Sequence, residues 1–146
     1  MKLDKETPPS EEVVDAGLKL MKSPDPETRY EAVWALCLHW GDMRTLPMLR
    51  SMLEGQETDL EVQIIVARSV GSMVQRCGQP DEQSFKSLAR VALDESAASE
   101  FRGVAYISLR AAAGLLPAAE EAHLPEDIHH LEVDWKWLRA MDGFSA

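Results

Sequence analysis

Four histidines and two cysteines are the residues of this chain best equipped for chemistry, and their surroundings decide what each can do. His39 stands at the end of an apolar stretch, just before Trp40 and Gly41. A histidine base needs a Ser or Cys nucleophile and an orienting acid beside it, and the sequence places neither there. Its position at the negative end of a helix accounts for it. Cys37 lies among Ala35, Leu36 and Leu38, where burial raises a thiol's pKa and makes it inert, so a structural role is predicted. Cys77 falls nearer a helix end, with nothing next to it to activate it. His123, His129 and His130 accompany Glu120, Glu121, Glu126 and Asp127, a ligand set suited to zinc or iron. The spacing does not suit a site: adjacent histidines on a helix point about 100° apart, and no i, i+4 pair forms. A solvated acidic segment is the reading that fits. Gly41, Gly55, Gly78 and Gly143 are scattered as helix stops, and Gly71 and Gly103 sit at packing positions, so no phosphate-binding loop is present. These residues predict no enzyme activity, no metal and no cofactor.

The elements that carry them read as helices. Ser10 caps a first helix holding Val13, Val14, Gly17, Leu18 and Met21, which stops at Ser23–Pro24–Asp25–Pro26. Asp25 and Pro26 open a second whose stretch from Tyr30 to Leu38 is apolar on nearly every side and is expected to be buried between neighbours. Asp42 caps a third, with Leu46, Leu49 and Leu53 on one face and Pro47 bending it or delaying its start. Asp59 caps a fourth ending at Gly78, and Pro80–Asp81 opens a fifth. A sixth is expected from about Ser99 to Leu116, where Pro117 stops it. After a break at Leu124–Pro125–Glu126, Asp134 caps a short last helix with Trp135, Trp137, Leu138 and Met141. Alternation of period two never lasts, which leaves no strand.

Residues 1–9 read as a flexible tail and 10–146 as one domain, and 45% hydrophobic residues suffice for a core at this length. The formal charge of −10 opposes a general affinity for nucleic acid or an anionic membrane surface. No run approaches the roughly 20 apolar residues of a membrane span. Two cysteines without a framework and an N-terminus without an apolar stretch point to a cytoplasmic location.

The second, fourth and sixth helices repeat one another. Asp25, Arg29, Ala32, Val33 and Leu36 correspond to Asp59, Gln63, Val66, Ala67 and Val70, and then to Arg102, Ala105, Tyr106 and Leu109. The anchors Arg29, Gln63 and Arg102 are 34 and 39 residues apart, the period of a helix-pair solenoid. The spacing Asp-x-x-x-Arg-x-x-Ala-Val-x-x-Leu over Asp25–Leu36 resembles a HEAT repeat, and the likeness extends over about Pro24 to Leu116. Gln63 replaces the arginine in the fourth helix, and the sixth lacks the aspartate. The resemblance implies an all-α fold, a short right-handed α-α solenoid of about three HEAT-like helix pairs. It also implies that the Asp and Arg link adjacent repeats and that the second helix of each pair lines the concave side.

On that side, Arg44 and Met48 of the third helix and Lys86 and Arg90 of the fifth are expected to face outward as a mildly basic binding surface. Of Trp135 and Trp137, two residues apart and unable to share a face, one caps the last repeat and the other is an interface anchor. HEAT proteins are mostly interaction scaffolds, so the expected function is binding another protein. An immunity or inhibitor protein of bacterial type, neutralising a partner toxin or enzyme, is the specific case that a small acidic chain without catalytic residues suggests. An adaptor or assembly factor is one alternative, and a HEAT-type lyase-like enzyme or small-ligand binder is another. A solenoid this short exposes apolar ends unless capped, which makes a homodimer an assembly to test.

Overall fold

The computed structural model describes residues 8–121 and 123–143, so most of the expected tail lies outside the described residues. Ser10 opens α1 (Glu11–Leu20), its hydroxyl accepting from the Val13 amide at 3.2 Å. Pro26 opens α2 (Pro26–Val33), which runs without interruption into a π-helical turn, Trp34–His39. Asp25 stands at the N-cap, where its carbonyl accepts from the Arg29 amide at 3.1 Å, but its side chain makes no cap bond; its carboxylate accepts from Thr28 Oγ1 at 2.8 Å. At the far end of this helix Arg76 donates to the carbonyls of Leu38 (2.9 Å) and Cys37 (3.3 Å), satisfying acceptors that the helix leaves unpaired. Gly41 then turns the chain at φ +66, and a Cβ there would meet that guanidinium.

Pro47 delays the third helix as expected. Asp42 caps a 3₁₀ turn (Met43–Thr45), and α3 (Leu46–Ser51) begins only beyond it, with Pro47 in its first turn. A further π turn (Met52–Gln56) ends at Gly55. Asp59 caps α4 (Leu60–Cys77) through the Val62 amide at 3.1 Å, and Gly78 closes it at φ +74. There follow α5 (Glu82–Leu93), α6 (Ser99–Ala112), the short α7 (Ala118–Glu121), a 3₁₀ turn (Ile128–His130) and α8 (Trp135–Asp142). The sixth helix therefore stops at Ala112, short of Pro117, because Gly114 takes φ +77 and breaks the ladder first. There is no strand among the described residues.

The helices stack in two layers. In one, α4 lies between α2 and α6; in the other, α5 lies beside α3 and α8. The core between them is aliphatic, with Val33, Leu49, Val66, Val70, Leu88, Leu109 and Leu138 without solvent contact. The segment after α6 completes the stack. Ile128 is buried against α6, and Leu138 and Met141 of α8 are buried against the second layer. Tyr106 Oη accepts from the Asp134 amide at 3.0 Å and fixes where α8 begins.

The second helix departs from expectation. Ala32, Val33, Leu36 and Cys37 are buried, but Tyr30 is 38% and Trp34 46% exposed. The reason is position. α2 is the first helix of its layer, so only α4 flanks it there, and Tyr30 stands at the open edge of that contact, beside Asp59, Glu61 and Val62.

Candidate functional site

Of the residues best equipped for chemistry, Cys37 and His39 are packed among neighbours, and the others face solvent. Cys37 is buried and its thiol is pushed up to about 12, first by desolvation, with the Asp42 charge adding and a hydrogen bond from Thr45 opposing. Cys77 is exposed. A thiol reagent is therefore expected to modify one cysteine in the native protein and two in urea, counted by mass. Modification of Cys37 as fast as Cys77 without denaturant would mean the first repeat opens readily. His39 stacks on Trp34 (centroids 5.3 Å, interplanar 17°) and meets the edge of Trp40 at 6.2 Å. Its Nε2 is buried without a hydrogen-bond partner among the described residues. His123, His129 and His130 are exposed, and no group of three or more His, Cys, Asp or Glu able to hold a metal occurs among the described residues.

Of the expected binding residues, Arg44 stands apart. The late start of α3 leaves it in the 3₁₀ turn, where Asp42 takes its Nε (2.9 Å) and Nη2 (2.6 Å) and the Pro9 carbonyl takes Nη2 at 2.8 Å. This guanidinium holds the Asp42 carboxyl below its usual range. Met48 is half-buried against the core. Lys86 pairs with Glu82 at 2.8 Å, and Arg90 Nε with Asp142 of α8 at 3.0 Å. The neighbour at Arg90 arrives from far along the chain, because α8 packs against α5. Trp135 is 41% exposed at the start of α8. Trp137 is half-buried, edge-on to Tyr106 at 6.1 Å, with the Arg110 guanidinium 4.8 Å from its ring centre. The structure thus brings Lys86, Arg90 and α8 onto one side and leaves Arg44 by α1.

Two surfaces were not anticipated from the sequence. The first is apolar: Val13 and Leu20 of α1, Tyr30 of α2, Trp34 of the π turn that continues it, and Met43 are all exposed, on the first repeat and the helix before it. The i, i+4 spacing of Tyr30 and Trp34 was the available signal. The second is a pair of grooves along the edge where the interhelical turns lie. One, of about 670 Å³, runs between the α3–α4 turn and the α5–α6 turn and includes Glu54, Ser87, Arg90 and Phe101. The other, of about 360 Å³, lies between the α1–α2 and α3–α4 turns, and the two share Glu57 and Thr58.

At their junction the repeat positions do the linking. Arg29 Nε and Nη2 each donate to Glu57 at 2.8 Å, and Nη1 donates to the Ser23 carbonyl at 2.9 Å. Glu57 in turn draws the arginine's pKa upward. The equivalent Gln63 donates to the Glu57 carbonyl at 3.0 Å, and the equivalent Arg102 to the Ala92 carbonyl at 3.0 Å. Arg29 and Gln63 reach back to the chain just before their own helices, Arg102 reaches the last turn of α5, and Arg29 also reaches the next repeat. The acid of that link is Glu57, where the motif led one to expect an aspartate at the head of the helix.

No curated protein and no solved structure matches the chain. The family model for HEAT repeats matches residues 14–110, well over half of the chain, from α1 into α6. With that match, the repeated anchors and the two-layer stack, the chain belongs to the HEAT-repeat family.

Proposed function

We propose that this protein is a protein-binding module whose contact surface is the exposed aromatic face of its first repeat. HEAT repeats are generally protein-interaction modules. The observation that carries this reading is the pair Tyr30 and Trp34, held in solvent on one helix face, with Trp34 fixed by stacking on His39. A preordered exposed aromatic loses little entropy on binding and is the residue type that most often dominates interface energy. Val13, Leu20 and Met43 extend the apolar area on the same repeat and the helix before it. A net charge of −10 favours encounter with a basic partner. A small acidic module of this kind suits an inhibitor or immunity protein that covers a toxin or enzyme, and suits an adaptor equally in chemistry. The side bearing Lys86, Arg90 and Trp135 is the second surface, proposed because it joins an exposed indole to cations.

The test is capture from native extract with wild-type and variant baits, followed by titration of the purified partner. Trp34→Ala is expected to weaken binding by roughly 30-fold, the effect of losing about 2 kcal/mol at an interface hot spot, with melting nearly unchanged. A partner that binds Trp34→Ala normally but is lost on reversing Lys86 and Arg90 to Glu moves the site to the α5–α8 side. A folded bait that captures nothing with either surface intact sinks the binding-module reading.

A further inference from the structure

Between α4, α6, the end of α7 and the chain following it lies a cavity of about 470 Å³. Its volume falls within the range of ligand pockets, about 300–1,000 Å³. Its walls are of two kinds. Leu38, Val104, Ile107 and Leu124 make an aliphatic side, and Ser72, Ser108, Arg68, Glu121 and Glu126 supply polar groups.

The polar groups are unevenly matched. Arg68 Nη2 is committed to Glu126 Oε1 at 2.7 Å. Glu121 has no ion pair among the described residues; desolvation raises its pKa, and only the field of Arg68 opposes this. Two carboxyl groups therefore share one guanidinium. In addition, Ser108 is 1% exposed, and its Oγ has no hydrogen-bond partner among the described residues. A buried hydroxyl left without a partner is unfavourable, and Ser108 forms part of this cavity's wall. The site lacks one positive charge carrying hydrogen-bond donors, on a body that can lie against aliphatic side chains.

We propose that this cavity binds an aliphatic ammonium group, its carbon chain against Leu38, Val104 and Ile107 and its nitrogen donating toward Glu121 and Ser108. An alkylammonium supplies three donors and one charge and has no acceptor to compete with the carboxylates. A free alkylamine and a lysine side chain share this chemistry.

The test is a titration of isotope-labelled protein followed by amide chemical shifts. The ammonium probes are butylamine and Nα-acetyl-lysine methylamide; the controls are butanol and butyrate. The ammonium probes are expected to give saturable shifts at Ser72 and Ser108, with Kd on the order of millimolar for ligands so small. Butanol is expected to bind about tenfold more weakly, and butyrate not to saturate. Glu121→Gln should weaken the amines about tenfold, the loss of one charge-assisted hydrogen bond. Ser108→Ala removes the hydroxyl without adding an atom at the helix crossing, and should weaken them several-fold if Glu121→Gln does not fold. Saturation by the lysine derivative alone keeps the site and makes a partner's lysine its occupant; saturation by butylamine as well shows that a free amine suffices. Amine shifts that never saturate, controls that bind as tightly, or both variants binding as the wild type would overturn the proposal.

Discussion

Replacing Glu57 by alanine is expected to lower the unfolding free energy by about 3 kcal/mol, read from urea denaturation at constant slope. Its side chain is 3% exposed and that of Arg29 16%. The substitution takes two charge-assisted bonds of 2.8 Å from a guanidinium that then keeps only the Ser23 carbonyl. Breaking a buried pair on one side costs about 3–5 kcal/mol, and the solvent-facing edge of Arg29 places this one at the low end. Glu57 also accepts from the Asp59 amide at 3.1 Å, so the turn that aims α4 loosens with it. Removing Arg29 as well should cost less than the two single losses together, because no unpaired charge remains. If Glu57→Ala stays within 1 kcal/mol of wild type, packing and not this pair joins the first two repeats.

A single methyl group at Gly71 is expected to cost about 3 kcal/mol, although alanine is the better helix former by about 1 kcal/mol. A Cβ there would lie 2.7 Å from both Cβ and the carbonyl oxygen of Ser108 and 2.9 Å from its Cα. These are not movable side-chain tips, so α4 and α6 must separate along the most extensive helix contact in the molecule. Gly103→Ala is expected to cost a similar amount and to act elsewhere. Its Cβ would collide with the Glu126 carbonyl oxygen, which forces the segment after α7 off α6. Limited proteolysis between Ala113 and Asp134 should then be faster in Gly103→Ala and little changed in Gly71→Ala. A wild-type melt for Gly71→Ala would show that the two helices do not cross as closely as described.

Much of the architecture was written in local patterns. Ser10, Asp42, Asp59 and Asp134 each cap as their positions suggested, since a cap is a contact with amides two or three residues away. The repeat of Arg29, Gln63 and Arg102 foretold equivalent roles, and all three tie down the chain preceding their helix. Pro47 foretold the late start of α3, but not its consequence that Arg44 would leave the helix and bind Asp42 and Pro9. Asp25 has the same residue type and setting as Asp59, yet its carboxylate turns to Thr28, because a neighbouring hydroxyl competes for it.

Taken alone, the sequence determined that the chain is helical, where most helices start and stop, and that they repeat as stacking pairs. Those properties follow from interactions within a turn or two and from apolar periodicity. Only the tertiary structure decided which apolar residues stay in water and which charges meet. Tyr30 and Trp34 read as core in a window of sequence, and stay in water because the packing of α4 on α2 leaves them outside, Tyr30 at the edge of that contact beside Glu61 and Val62. Arg90 reads as a free cation until α8 arrives with Asp142, and the ion pair Arg29–Glu57 spans two repeats. The cavity around Ser108 and Glu121 is assembled from α4, α6, the end of α7 and the chain beyond it, with the end of the second helix closing it at Leu38. Burial and pairing at a distance depend on which elements end up adjacent, and that is a property of the whole packed chain.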